Sequence, residues 1–226
     1  MRVHVEALML LLAVPAVLPA QGAAAHGSDI SIAVRVSTLG FGAEVSKLVT
    51  SHLGVRVGAN TYSLTKNVDQ SDVTFDAKLK MKALTALVDF YPGNRGSFHL
   101  TGGLMTNPVN ITAVGQPKAN GTFTINDREY TTAEVGTLTG TGEWASALPY
   151  VGIGFGTPAN SHKGIKFIFD LGAGIGKSTI ALTATGAANN AQLQSDLNAQ
   201  VAKTQKDVDK YAKVYPVLSF GLAYRF

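Results

Sequence analysis

Apolar and polar residues alternate along most of this chain, and the alternation is clearest near its end. Between Tyr215 and Phe226, the residues of one parity are mostly large and apolar: Leu218, Phe220, Leu222, Tyr224 and Phe226. The residues of the other parity are mostly small or charged: Ser219, Gly221, Ala223 and Arg225. Because side chains of equal parity point to the same face of a β-strand, this pattern predicts a strand with one wide apolar face.

The same two-residue period predicts six further strands, at about 30–45, 52–64, 73–91, 97–107, 144–155 and 165–183. Two of these segments change parity halfway, near Ser37–Gly40 and near Lys82. A β-bulge shifts the facing of a strand by one residue, so we expect a bulge or a bend at both points. Within 187–212 the apolar residues recur at helical spacing instead, which predicts a polar amphipathic helix.

The first residues have the pattern of a secretory signal peptide. Arg2 precedes an apolar run from Ala7 to Leu18, and Ala23-Ala24-Ala25 fits a small-residue cleavage site. We therefore predict a signal peptide over 1–25 and a mature domain over 26–226. The mature part has no apolar run close to the roughly 20 residues that a spanning helix needs. A membrane location would then require a closed β-barrel, which pairs every backbone group.

The composition narrows the possible chemistry. The chain has no cysteine, which excludes disulfides, zinc–thiolate sites and thiol nucleophiles. The net charge is only +4 and the basic residues are scattered, so no nucleic-acid partner is expected. The spacing of the histidines matches no metal motif. No cofactor or metal site is predicted.

The lengths of the connections predict an orientation and a strand count. Short connections near 47–51, 92–96 and 157–163 alternate with longer ones at 65–72, 108–142 and 187–212. Outer-membrane barrels have short periplasmic turns and longer external loops, so the predicted helix would be external. The 108–142 connection also predicts a small hairpin, at about Phe123–Ile125 and Glu129–Thr131.

Seven strands are clear, whereas single-chain bacterial barrels have an even number. We therefore expect an eighth strand, from a split either near Ser37–Gly40 or near Gly174–Ser178.

The polar parity of these strands carries nine charged residues, which we expect to face the barrel lumen as one network: Arg35, Glu44, Arg56, Lys78, Lys80, Asp89, Lys166, Asp170 and Arg225. A Lys or Arg facing lipid at the bilayer midplane costs about 2–4 kcal/mol, whereas charges of both signs can pair inside a barrel. Glycines of the same parity would make room for these long side chains, or leave a narrow water path. An eight-stranded lumen is just wide enough to be filled by side chains.

The ending Tyr224-Arg225-Phe226 and the runs Leu39–Val45 and Leu53–Gly58 resemble the small eight-stranded bacterial outer-membrane proteins of the OmpA-like and OmpW-like type. The resemblance covers about residues 30–226. It implies an all-β, up-and-down antiparallel transmembrane barrel in the outer membrane, surrounded by outer-membrane lipid. It also implies that Tyr224 and Phe226 belong to the signal read by the barrel-insertion machinery.

Two local patterns are close to catalytic or binding motifs. The run Gly172–Ser178 is close to a phosphate-binding loop, but Leu171 stands where the first glycine is required, and the segment continues as a strand. His99 has lumen parity, and a lipid-modifying enzyme would need a serine and a carboxylate beside it. Ser97 shares that parity but lies near a turn, so no catalytic residue is assigned.

Three functions remain open from the sequence. The leading hypothesis is a non-enzymatic outer-membrane barrel whose external loops, 108–142 and the helix in 187–212, contact a partner at the cell surface. The second is a narrow channel for small or hydrophobic solutes. The third is a lipid-modifying outer-membrane enzyme.

Overall fold

A computed structural model describes residues 30–69, 73–93, 96–106, 108–117, 121–156 and 163–226. The predicted signal peptide, 1–25, lies outside the described residues. Along the chain the elements are β1 (Ile30–Ser37), β2 (Gly40–Leu48), β3 (Leu53–Asp69), β4 (Val73–Phe90), β5 (Phe98–Thr106), β6 (Asn110–Pro117), β7 (Thr122–Ile125), β8 (Arg128–Thr131), α1 (Thr132–Val135), β9 (Leu138–Trp144), β10 (Ala147–Phe155), β11 (Gly164–Ile175), β12 (Ser178–Ala184), a 3-10 helix (Thr185–Asn189), α2 (Ala191–Tyr211) and β13 (Val214–Arg225).

Eight of these strands close into a ring. Their order is β4-β3-β2-β1-β13-β11-β10-β5, and β5 pairs in turn with β4. All eight neighbouring pairs are antiparallel. The predicted up-and-down barrel of eight strands is confirmed. Closure gives each strand of the ring a partner on both sides, which removes the exposed edges that an open sheet would have.

The eighth strand arises at the first of the two predicted splits. A two-residue turn, Thr38–Leu39, joins β1 to β2, and Ser37 pairs with Gly40 across it. Gly40 has a φ of 98°, and a Cβ at this position would lie 2.6 Å from the Thr61 carbonyl oxygen. Only glycine suits that combination of positive φ and close approach. The parity change here is therefore a hairpin.

The bulge predicted near Lys82 is wrong. Strands β3 and β4 stay in one unbroken register from Leu53 opposite Phe90 to Asp69 opposite Thr74. The parity changes because the outer face of β4 passes from apolar surroundings into water. Beyond Leu84 this face therefore carries exposed Lys82, Lys80 and Lys78 with no irregularity of the backbone.

The two faces of the barrel differ sharply in polarity. The outward residues are exposed and apolar, as at Val57, which is 64% exposed, whereas its neighbour Arg56 faces inward and is 4% exposed. A closed ring with a continuous apolar belt satisfies its backbone and buries that belt only in a membrane. The barrel is therefore transmembrane and of the outer-membrane type.

Both ends of the barrel domain lie at one rim. The Phe226 amide donates a hydrogen bond to the Ile30 carbonyl oxygen at 3.2 Å. The connection from β2 to β3 is short at the same rim, whereas the connections that contain β6–β9 and β12–α2 leave the opposite rim. The rim of Phe226 is thus periplasmic and the other is external.

The long connections fold together into one external unit. The outer part of β4 pairs with β6, β6 pairs with β9, and β9 pairs with β12. Strand β12 separates from β11 near the second predicted split, but it joins this external sheet instead of the ring. The predicted hairpin is present as β7 and β8, with a turn at Asn126–Asp127 where both φ angles are positive.

Helix α2 packs on this sheet and seals its last strand. Asn190 caps the helix by accepting a hydrogen bond from the Leu193 amide at 3.0 Å. The Gln205 side chain accepts from the Ile180 amide at 3.0 Å and donates to the Ser178 carbonyl at 2.8 Å, so it supplies hydrogen bonds to the edge of β12. No helix in the described part of the chain is both long enough and apolar enough to cross a membrane.

The external unit has a hydrophobic core of its own. Its buried residues come from β7, β8, α1, the 3-10 helix and α2: Phe123, Ile125, Tyr130, Val135, Ala187, Leu193 and Leu197. Asp196 ties the helix to the hairpin, because Tyr130 Oη donates to it at 2.5 Å and Asn126 Nδ2 at 3.0 Å. Arg128 Nε also lies 3.5 Å from its carboxylate.

Acid should loosen the external unit before it affects the barrel. Hydrogen bonds, foremost from Tyr130 and then from Asn126, lower the pKa of Asp196 to about 2. An unfolded aspartate has a pKa of about 3.9, so this stabilisation is complete above about pH 4 and is lost as the pH falls toward about 2. We expect amide hydrogen exchange in 122–131 and 191–211 to accelerate over that window. Asp196→Asn should make this response less steep, with a remainder from Glu134, whose pKa is lowered by hydrogen bonds from Thr131. An equally steep response in the variant would contradict the role of Asp196.

Candidate functional site: an ion-paired cluster inside the barrel

The inward faces of five barrel strands bring oppositely charged side chains together. Arg35 on β1 ion-pairs with Asp170 on β11, and its Nη2 lies 2.7 Å from Glu44 Oε1 on β2. Arg35 Nη1 also donates to Ser219 Oγ on β13 at 3.3 Å. This one guanidinium therefore connects four consecutive strands of the ring.

Arg56 on β3 is the centre of the cluster. Its Nη2 donates to Asp170 Oδ1 at 2.8 Å, so the contact reaches across the lumen from β3 to β11. Its Nη1 lies 3.6 Å from Glu44 Oε2. Its Nε is 2.8 Å from Asp89 Oδ2 on β4, but the N–H does not point at that oxygen, so the contact is an ion pair without an aligned hydrogen bond.

Polar side chains of β5 complete the cluster. Thr101 Oγ1 accepts from Arg56 Nη2 at 3.0 Å and donates to Asp89 Oδ1 at 2.7 Å. His99 Nε2 lies 3.2 Å from Asp170 Oδ1 and 3.9 Å from Asp89 Oδ1, while its Nδ1 is 3.3 Å from the Ser97 carbonyl oxygen. The three carboxylates thus share two guanidiniums, with an imidazole and a hydroxyl beside them.

Glycines make the room that the cluster needs. A Cβ at Gly154 on β10 would lie 2.5 Å from His99 Nε2 and 2.6 Å from Asp170 Oδ1. At Gly172 on β11, a Cβ would collide with the Tyr150 hydroxyl. The space beside these glycines is occupied by the rings and the carboxylate of the cluster.

Gly154→Ala should destabilise the barrel by about 1–3 kcal/mol, the usual cost of overpacking a well-filled interior. Urea unfolding of the protein in lipid vesicles measures this decrease in the free energy of unfolding. Gly102→Ala is the matched control, because a Cβ at Gly102 meets no atom within 4 Å. Equal stabilities of the two variants would show that the interior around Gly154 is not tightly filled.

An apolar plug covers the cluster on the external side. Its buried members are Leu39, Ala83, Leu87, Met105, Leu148, Tyr150 and Val217. Leu39 comes from the tight turn between β1 and β2 and folds into the mouth of the barrel, where it is 3% exposed. Trp144 and Tyr215 pack against the plug, with their ring centroids 5.5 Å apart.

Two small cavities in the described part of the lumen lie one on either side of the arginines. The external one has a volume of about 30 Å³ and extends to Leu39 and Val217. The periplasmic one has a volume of about 20 Å³ and extends to Tyr91 and Ala223. Since one water molecule needs about 10–15 Å³ of such volume, the external cavity has room for two or three waters and the periplasmic one for one or two.

The structure brings five of the nine predicted lumen charges into the cluster: Arg35, Glu44, Arg56, Asp89 and Asp170. Lys166 and Arg225 have inward parity but lie at the periplasmic end of β11 and β13, outside the cluster. The prediction for Lys78 and Lys80 is wrong, because both are exposed on the outer face of β4. That error follows directly from the bulge that β4 does not contain.

Several contributors carried too weak a sequence signal to be assigned. Thr101 and Ser219 share the parity of the charged residues, but hydroxyls of that parity also occur outside the cluster, as at Ser31 and Ser46. Tyr91, just beyond the end of β4, is buried with its ring centroid 5.2 Å from that of His99.

Tyr224 and Phe226 lie on the outer face near the periplasmic rim, with ring centroids 5.0 Å apart. Among the described residues, no group of three or more metal-ligating side chains could hold a metal ion.

No known family profile and no curated protein matches the sequence. Solved structures do resemble it. Acinetobacter baumannii CarO2 is 19% identical with a TM-score of 0.54, and the match covers 89% of this chain and 100% of CarO2. Acinetobacter baumannii CarO is 19% identical with a TM-score of 0.51, and the match covers 87% of this chain and 97% of CarO. A major outer membrane protein from Thermus thermophilus matches less well, at 15% identity and a TM-score of 0.42 over 87% of this chain and 99% of that one.

Identities this low show the fold alone. The outer-membrane setting follows from the chain itself, because the ring is closed, its outer face is an apolar belt, and its long connections lie at one rim. This chain is a small outer-membrane β-barrel protein with eight barrel strands, of the same fold as the CarO proteins.

Proposed function

We propose that this barrel is a closed membrane anchor and that its external unit makes contacts at the cell surface. The observation that carries the proposal is the filled interior. Arg56 reaches across the lumen to Asp170, Arg35 joins the same carboxylate to Glu44, and the apolar plug lies directly above both arginines. The two cavities of the described lumen, above and below the arginines, each have room for only a few waters.

A channel would have to open a path through this layer. A hydrated ion passing the arginines would have to separate Arg56 from Asp170 and Arg35 from Glu44, which are hydrogen-bonded pairs with little exposure. Breaking a buried charge pair is strongly unfavourable, because each partner is left uncompensated. The interior therefore favours a closed barrel over the narrow channel considered from the sequence.

The interior gives even less support to a lipid-modifying enzyme than to a channel. A hydrolytic serine needs a free ring nitrogen on its histidine. In His99 one nitrogen faces Asp170 and the other faces the Ser97 backbone carbonyl, while the Ser97 side chain is exposed. The imidazole is oriented by the cluster, and its geometry fits a structural role.

The external unit supports a surface role. Connections that merely join strands are usually short and need no core. Here two connections and the outer part of β4 together build a sheet, a helix and a buried core. One face of α2 is buried, and its other face is polar and open to solvent at Gln194, Asn198 and Lys206. A rigid polar surface of this kind is suited to binding a partner outside the cell.

The same proposal assigns Tyr224 and Phe226 to the insertion signal. Both are exposed on the outer face of the last strand, which closes the barrel against β1. Their exposure leaves them accessible to the barrel-insertion machinery before lipid covers them.

Planar bilayer recording tests the closed interior. The folded protein should give no steady conductance, while a general porin prepared in the same way gives clear steps. Steady wild-type conductance would overturn the closed anchor.

The surface role is tested by adhesion of cells that carry either the intact barrel or a variant with 108–146 and 176–213 replaced by short turns. Reduced adhesion with normal membrane insertion is expected, and unchanged adhesion would contradict the surface role.

A further inference from the structure

A column of three lysines stands on the outer face of β4, directly above the lipid-facing belt. Leu84, Ala86, Val88 and Phe90 form the belt on this strand, and the next outward positions toward the external side are Lys82, Lys80 and Lys78. Residues two apart on a strand are separated by about 6.6–6.8 Å, so the three ammonium groups occupy successive levels above the apolar edge. All three side chains are exposed.

Hydrogen-bonding side chains flank the column on both sides. Across β3, Thr61 is opposite Lys82, Ser63 is opposite Lys80 and Thr65 is opposite Lys78. Across β6, Asn110 is opposite Lys80 and Thr112 is opposite Lys78. Directly paired residues share one face of a sheet, so each lysine has a hydroxyl donor beside it.

The charges around the column are unevenly placed. Asp76 lies one level beyond Lys78, away from the membrane, and Glu143 is paired with Asn110, two strands from Lys80. Within the described part of the chain, no ion pair involves the three lysines. The positive charge is therefore concentrated at the end of the column that meets the belt.

We infer that this column binds the phosphorylated headgroup of an outer-leaflet lipid. The face is continuous with the belt, so a lipid whose chains pack on Leu84 and Val88 places its headgroup beside Lys82 and Lys80. Lysine is a compact donor for phosphate, and hydroxyls can supply further hydrogen bonds to its oxygens. A basic residue close to an anionic membrane surface strengthens lipid binding about fivefold, so three together should give roughly 100-fold.

The test compares two variants that lose the same charge. Lys78→Gln, Lys80→Gln and Lys82→Gln together remove the column. Lys66→Gln, Lys203→Gln and Lys206→Gln together are the control, because Lys66 pairs with Ala77 on the opposite face of the ribbon and the other two lie on α2. A third variant with arginine at the three column positions keeps the charge. All are full-length folded barrels in nonionic detergent, and each is checked for a mobility shift on boiling.

Affinity is measured by native mass spectrometry with diphosphorylated lipid A and with the same lipid after removal of its phosphates. The column variant should bind diphosphorylated lipid A roughly 100-fold more weakly than the wild type. The control and the arginine variant should stay within about threefold of it, and inorganic phosphate at millimolar concentration should not displace the lipid. Equal binding by the column variant would overturn the inference. So would an equal loss in the control, tight binding of the dephosphorylated lipid, or full displacement by inorganic phosphate.

Discussion

Replacing Arg56 by methionine should lower the free energy of unfolding of the barrel by about 3–5 kcal/mol. Arg56 contacts Glu44, Asp89 and Asp170, and each of these carboxylates is buried. Without its guanidinium, three buried carboxylates keep a single arginine, Arg35, which pairs with only two of them. The cost comes from the uncompensated charge, since methionine has a similar length and keeps most of the packing. Urea unfolding in lipid vesicles, followed by the fluorescence of Trp144, measures it.

Two companion variants separate charge from packing. Lys47→Met removes an exposed positive charge on β2 and should change stability by less than about 0.5 kcal/mol. Arg56→Met combined with Asp89→Asn should recover part of the loss, because Asp89 is the carboxylate that Arg35 does not contact, and its uncompensated charge then disappears. A double variant as unstable as the sum of the two single changes would show that the cluster is not coupled in the way its geometry indicates.

Leu197→Ala should unfold the external unit locally and leave the barrel intact. Leu197 is fully buried in the external core, and deleting such a side chain costs about 2–5 kcal/mol. Among the described residues, the core of this unit has seven buried members, so a loss of that size is a large share of its stability. Hydrogen exchange should become fast in 122–131 and 191–211, while the barrel strands β1 and β13 keep their protection.

The matched control for this change lies on the same helix. Gln194→Ala alters an exposed position and should leave exchange in the external unit unchanged. If Leu197→Ala accelerated exchange in β1 and β13 to the same degree, the external unit and the barrel would form one cooperative unit. The separation between anchor and external unit would then be wrong.

The strand count shows where a sequence pattern stops being informative. In a two-residue hairpin the paired residues, such as Ser37 and Gly40, have opposite parity. Such a turn therefore moves the apolar set from even to odd positions, as a bulge does. Alternation alone therefore does not distinguish a hairpin turn from a bulge near Ser37–Gly40. The hairpin is favoured only by the rule that barrels have an even number of strands.

The error at β4 has a different physical cause. Outside the membrane the polarity of an outer face reverses because water replaces lipid, and the backbone need not change. The prediction that places Lys78 and Lys80 in the lumen assumes that lipid continues along the whole strand. The register is unbroken from Leu53 to Asp69, so Lys82, Lys80 and Lys78 share the outer face of Leu84, and the lipid-facing part ends near Leu84.

The charged interior was largely predictable, but its pairing was not. Inward parity selected Arg35, Glu44, Arg56, Asp89 and Asp170 from the alternation alone. The partners depend on the stagger of strands around the ring, which brings Asp170 to Arg56 from 114 positions away in the chain. The external core could not be predicted from the sequence either. Its buried residues in the hairpin, α1 and α2 belong to two separate connections, and no local pattern shows that these connections pack together.

The most direct test of the closed eight-stranded barrel is electrophoretic mobility in dodecyl sulfate with and without boiling. A closed ring with every strand paired on both sides resists the detergent at room temperature and migrates as a compact species. The unboiled protein should therefore run as a discrete band, displaced from the boiled, unfolded band. Identical mobility of boiled and unboiled samples, after refolding in detergent, would contradict the barrel.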